Sequence, residues 1–156
     1  VFANLFVQHH HATERDPFTG RWGWTENLGR VSQGKVTNAF RDFEIDNLIT
    51  DSTSYGDYRF HEVGTSAAAE ANTQTALTTT TGIARVSGTQ VEFAADTYQT
   101  VATVVADTSE SWQEHGVFNA STSGVMLDRS LVAPVVSVVA SDTVTFTYQL
   151  VKSSES

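Results

Sequence analysis

The sequence predicts a mainly β protein: a β-sandwich or jelly-roll-like body with one short helix and an N-terminal hairpin or arm. Three observations predict it. Thr with 22 copies and Val with 19 are the commonest residues, and both fit the pleated, half-buried surface of a strand. Lys, a good helix former, occurs only twice, at Lys35 and Lys152. Apolar and polar residues alternate along much of the chain. The pattern is cleanest near the C-terminus, where Val144, Phe146, Tyr148 and Leu150 face one way and Thr143, Thr145, Thr147 and Gln149 the other. Turn signals about every 8–12 residues divide the chain into roughly seven to nine strands, the spacing of a sandwich.

Taken in order, residues 4–11 read as a first strand. Asp16, Pro17 and Gly20 supply turn chemistry, with Pro fixing φ and Gly permitting a positive value. Residues 21–31 then pair back as a hairpin, with Trp22 and Trp24 two residues apart and so on one face. Large aromatics on a hairpin serve a core or a contact with a partner subunit. Residues 35–49 are the one good helix: Val36, Ala39, Phe40, Phe43 and Leu48 recur at three- and four-residue spacing among Arg41, Asp42, Glu44 and Asp46. Asp51 to Ser54 breaks that pattern.

The chain reads β from Tyr55 onward. Tyr58 and Phe60 alternate with Arg59 and His61, and residues 67–76 form a small-residue loop with a helical turn. Val91 and Phe93 alternate with Glu92 and Ala94. Residues 98–106 set Tyr98, Ala102 and Val104 on one face and Val101 and Val105 on the other. A strand apolar on both faces is covered on both sides, by a second sheet or another subunit. Further strands are expected at 111–119, 125–132 and 134–140, and the run containing Val136 and Val138 also suits burial on both faces. Residues 1–50 are therefore the hairpin and helix, and residues 51–156 the sandwich body, together one compact unit.

The chain has 156 residues, 18 acidic and 9 basic, a formal charge of −9, and no cysteine. Disulfide frameworks and thiolate metal sites are excluded. Nucleic acid is not expected as a partner, because that affinity rests on Lys and Arg neutralising phosphates. No apolar run is long enough for a membrane helix. The charge is uneven. No Lys or Arg lies between Arg85 and Arg129, a stretch that holds Glu92, Asp96, Asp107, Glu110, Glu114 and Asp128. Such a stretch reads as a solvated acidic face.

The chemistry-bearing residues are few. His9 and His11 share one face of a strand and are weak metal candidates; a site needs a third protein ligand and outer groups that fix the tautomer. The simpler reading is a polar strand end, with no metal or cofactor. His61-Glu62 and Glu114-His115 each point to opposite faces as strand neighbours. If their strands lie side by side, His61 and His115 share a face with Asp128. Otherwise these groups pair with Arg59, Arg85 or Arg129. Asp46, Asp51 and Asp57 do not have the alternating spacing of a calcium loop. No nucleophile elbow, zinc-protease motif or phosphate loop is present. The chain is not expected to be an enzyme.

Several segments, in order, carry a resemblance. They are Tyr58 to Thr65 (YRFHEVGT), Glu70 to Leu77 (EANTQTAL), Ala84 to Thr89 (ARVSGT), Glu114 to Phe118 (EHGVF) and Val125 to Arg129 (VMLDR), then the closing strand from Asp142 to Leu150. This order resembles a family of small structural proteins of tailed bacteriophages and covers roughly residues 45–151. Gly64-Thr65-Ser66 departs from the family pattern, which has a second glycine there. The resemblance implies a virion component: a capsid decoration (cement) protein on the major capsid protein lattice, or a neck, tail or fibre protein. It assigns no catalytic residue. The expectation that follows is a homo-oligomer, a trimer; the alternative from a different class is a metal- or carbohydrate-binding module using His9/His11 or His61/His115, with Trp22 and Trp24 able to stack on sugars. Trp22, Trp24, Tyr98, Val101, Val105, Val136 and Val138 are the candidate oligomer or partner contacts.

Overall fold

The computed structural model describes residues 1–49 and 57–152. Among these, ten strands and one helix follow in the order β1 (Phe2–Arg15), β2 (Trp22–Ser32), β3 (Lys35–Val36), α1 (Asn38–Ile49), β4 (Phe60–Gly64), β5 (Val86–Ser87), β6 (Thr89–Ala94), β7 (Thr97–Val105), β8 (Glu110–Phe118), β9 (Met126–Val138) and β10 (Thr143–Val151). They form two five-stranded sheets, β2-β1-β10-β7-β6 and β3-β9-β8-β4-β5. The observed pairings are antiparallel. The fold is a β-sandwich with one short helix, as the composition and alternation predict.

The core lies between the sheets. From the first sheet come Leu5, Val7, Val104, Val144, Phe146 and Tyr148; from the second come Val63, Trp112, Val117, Val132, Val136 and Val138. Fully burying a side chain such as Phe146 stabilises the fold by about 1.5–3 kcal/mol relative to leaving it in water. The β1–β10 and β10–β7 registers run without a slip, from Phe2 opposite Val151 and from Thr143 opposite Val105. Strict alternation therefore holds across three strands, and every second residue points outward.

A second, smaller core lies on the far side of the second sheet. Leu77 from the segment between β4 and β5 packs with Phe118 and Met126, and Phe60 joins them. Beneath that segment Glu114 and Arg129 form a fully buried ion pair at 2.6 Å. The Glu114 carboxylate also accepts the Thr78 and Thr79 N–H groups, at 3.0 and 2.7 Å. Gly64 lets this segment approach: a Cβ there would sit 2.4 Å from the Thr79 carbonyl oxygen. The motif segments meet here, since Arg85 binds Glu62 at 3.1 Å and stacks over Phe118. The Glu70 carboxylate also accepts the Leu131 N–H.

Several expectations need correction. The helix starts at Asn38, three residues after its expected start. Thr37 precedes it as an N-cap, accepting the Phe40 N–H at 3.1 Å while its own N–H bonds Leu127. Phe40 is buried and Phe43 partly buried, as the spacing requires. The strands expected at 125–132 and 134–140 are one strand, β9. Pro134 does not break it, because it falls where the register against β8 slips between Trp112 and Glu114. Val136 and Val138 face the inter-sheet core and are buried, so they are not available to a partner, while Val135, just before them, is exposed. In β7 only one face is covered: Ala102 and Val104 are buried and Val105 is 55% exposed. The acidic stretch is not a single solvated face either. Glu92, Asp96 and Asp107 are exposed, whereas Glu114 and Asp128 are fully buried.

Candidate functional site

The base of the β1–β2 hairpin gathers the titratable groups of the N-terminal region. His9 and His11 point to the same side of β1, and both are buried. Their ring centroids lie 3.8 Å apart, and His11 stacks on Trp24 at 4.2 Å. β2 brings Glu26 directly opposite His9. The three residues each offer a ligand atom, and these atoms lie within 4.8 Å of one another. His10 points away and bonds the Thr25 hydroxyl at 3.0 Å.

Further carboxylates hold both imidazoles. Asp142, in the turn between β9 and β10, lies 3.0 Å from His9 Nε2. It also accepts the Ala12 and Val139 N–H groups, at 2.8 and 3.1 Å. Burial works against the Asp142 carboxylate, but those N–H groups and His9 outweigh it and hold its pKa below the ordinary value. Burial, aided by His11 and opposed by Asp142, lowers the pKa of His9. A neutral His9 that donates from Nε2 to an ionised Asp142 carries its lone pair on Nδ1. His11 faces Glu26 through Nε2 at 3.4 Å and Glu14 through Nδ1 at 3.2 Å. Asp16, equally near in sequence, is used by the turn, where it accepts the Phe18 and Thr19 N–H groups.

A second constellation sits between the sheets. β4 and β8 are neighbours, so His61 and His115 do share a face, with His61 Nδ1 2.9 Å from His115 Nε2. His61 Nε2 bonds the Thr100 hydroxyl at 3.1 Å. Asp128 lies on the same face of β9, and Ser130 donates to it at 2.6 Å. Burial drives His61 down to about 3 and His115 well below its ordinary value, the latter helped by His61. Burial raises Asp128 to about 7. All three are sealed from solvent. A general acid or base must reach its substrate, so this group belongs to the interior.

The predicted contact residues divide three ways. Trp22 is 65% exposed near the hairpin tip, beneath the Arg15 guanidinium at 4.4 Å, and Phe18 is 95% exposed. Trp24 is half-buried on His11. The strict alternation expected of the two tryptophans is broken at Gly23, whose φ is +71°. Val101 and Val105 lie on the outer face of the first sheet, and Tyr98 lies inward, donating to the Tyr58 carbonyl. Tyr98 helps line a cavity of about 260 Å³ with Phe40, Tyr58, Leu127 and Leu150; the charged groups there, Glu44 and Lys152, pair with each other. Asp46 is exposed on α1, Asp57 lies 3.6 Å from Arg59, and Asp51 is outside the described residues.

The outer face of the first sheet is a feature that sequence reading missed. Its outward positions on β1, β10 and β7 include Phe6, Gln8, Thr145, Thr147, Thr103 and Val105, and none of those positions holds Asp, Glu, Lys or Arg. Phe93 of β6 lines a shallow depression there with Phe6, Thr145, Thr147 and Gln149. Among the described residues, no helix is long and apolar enough to cross a membrane. The sequence matches no family model, and neither a curated protein nor a solved structure matches it.

Proposed function

We propose that this chain is a structural component of a tailed-phage particle, a capsid decoration protein that docks as a homo-oligomer, a trimer, on the major capsid protein lattice. The observation that carries the reading is the uncharged outer face of the first sheet. A chain with a formal charge of −9 leaves three adjacent strands free of ionised side chains on their outward side. Desolvating Thr, Gln and Val costs far less than desolvating carboxylates, so this face suits burial against a protein neighbour. The hairpin extends past the sheet, because β1 pairs with β10 only as far as His10 and with β2 as far as Arg15. It presents Phe18 and Trp22 as an arm. Aromatic anchors of this kind dominate binding energy at interfaces.

The motif residues support the same reading from another direction. Glu62 pairs with Arg85 and Glu114 with Arg129, Glu70 accepts the Leu131 N–H, and Leu77 packs on Phe118 and Met126, so these residues help specify the fold that presents these surfaces. Copy number tests the assignment. Quantitative staining of purified particles is expected to give a ratio to the capsid protein of order one. A handful of copies per particle moves the protein to the neck or tail, and absence from particles overturns the reading.

A further inference from the structure

We propose that His9, His11 and Glu26 bind a divalent transition-metal ion, zinc by ligand type, which cross-links the two strands of the hairpin next to the end of the sandwich. Two imidazoles and a carboxylate are a recognised donor set for zinc, leaving one position for water. The ligand atoms already lie within 4.8 Å of one another. Metal–ligand bonds of about 2.0–2.2 Å place such atoms some 3–4 Å apart, so modest side-chain rotation closes the site.

Three further observations support a cation here. Each imidazole has an outer carboxylate besides Glu26: Asp142 on His9 at 3.0 Å and Glu14 on His11 at 3.2 Å. Carboxylates in that position fix the tautomer and raise the donor strength of a ligating histidine. Local charge also favours a cation, since Glu14, Glu26 and Asp142 surround two imidazoles. Finally, the site has an entrance: the Glu26 side chain is 42% exposed while that of His9 is 3% exposed. The ligands come from β1 and β2, and Asp142 adds the β9–β10 turn. An ion at this point cross-links β1 and β2 beside the His9–Asp142 bond that joins the hairpin to the body, and this inference stands whether or not the chain is a virion protein.

The test uses untagged protein stripped with a chelator and dialysed. Titration with zinc chloride by calorimetry is expected to give one ion per chain and a raised thermal midpoint. Cobalt(II) in the same site is expected to give visible absorption bands of a low-coordinate nitrogen–oxygen environment. His11→Ala and Glu26→Gln, which leave the His9–Asp142 bond intact, are each expected to weaken zinc binding about tenfold or more. His10→Ala, on the opposite face, is expected to leave it unchanged. Absence of stoichiometric zinc binding overturns the proposal. So does equal loss in His10→Ala and His11→Ala, which marks non-specific binding to the histidine run. Undiminished binding in Glu26→Gln removes the third ligand and with it the site.

Discussion

His61 Nδ1 and His115 Nε2 meet at 2.9 Å in the middle of the sandwich, with His115 stacked on Phe146. One nitrogen of the pair must donate and the other accept, so neutral rings fit and two imidazolium ions do not. Burial holds His61 at about 3 and His115 well below its ordinary value. In the unfolded chain both titrate near the usual 6.5. Below that pH the unfolded state binds protons that the fold excludes. The stability these groups contribute is fully present above about pH 6.5 and is lost as pH falls from there towards 3, at on the order of 1 kcal/mol per pH unit for each histidine. Urea midpoints measured from about pH 7.5 down to 4.5 are expected to fall; a flat profile contradicts the buried pair.

Asp128 works in the opposite direction. Its pKa is raised from 3.8 to about 7 by burial, so the folded state takes up a proton on acidification before the unfolded state does. Its favourable contribution is complete below the unfolded value and is lost as pH rises through about 7. Asp128→Asn removes this titration and keeps an acceptor for Ser130. The variant is expected to be more stable than the parent by on the order of a few kcal/mol near pH 8. That advantage is expected to shrink below pH 7, and the acid slope of the variant to steepen. Denaturant melts of both proteins at the two ends of this range measure it.

The Glu114–Arg129 pair gives a third expectation. Both side chains are almost wholly buried. Glu114→Ala leaves an uncompensated guanidinium and strips the acceptor from the Thr78 and Thr79 N–H groups. The expected loss is about 3–5 kcal/mol, read as a lower urea midpoint. Proteolysis is expected to speed up first within residues 65–85, which the carboxylate holds to the sheet. Replacing both partners with leucine is expected to recover part of the loss, because the surroundings already include Leu77, Phe118 and Met126.

Much of this architecture is legible in the sequence for a simple reason. Where no bulge intervenes, side chains alternate strictly, and Thr143 to Leu150 reads correctly residue by residue. That His61, His115 and Asp128 share one face also follows once β4, β8 and β9 are adjacent. The rest depends on irregularities with weak local signals. A regular hairpin pivoting on Arg15 opposite Trp22 sets Glu26 opposite His11. The register slip between His11 and Arg15 instead sets it opposite His9, and makes Glu26 the third donor. Asp142, 133 residues from His9, is visible only after β1 and β10 pair. Nor does composition separate Glu114 and Asp128 from exposed acids, because burial depends on which face a bulged strand presents.

The neighbours Val144 and Thr145 separate folding from assembly. They are adjacent on β10, yet Val144 is fully buried between the sheets and Thr145 points outward, its hydroxyl 2.8 Å from that of Thr103. Val144→Lys buries an unpaired charge and is expected to abolish folding. Thr145→Lys leaves the core untouched and is expected to change stability by no more than about 0.5 kcal/mol. If the uncharged face is the docking surface, the same lysine must be desolvated against a neighbour. Thr145→Lys is therefore expected to be a folded monomer that no longer binds particles, while the parent assembles and binds. Sedimentation and particle co-pelleting read the two effects separately. A Thr145→Lys protein that assembles and co-pellets like the parent rules out this face and leaves the Phe18 and Trp22 arm as the contact.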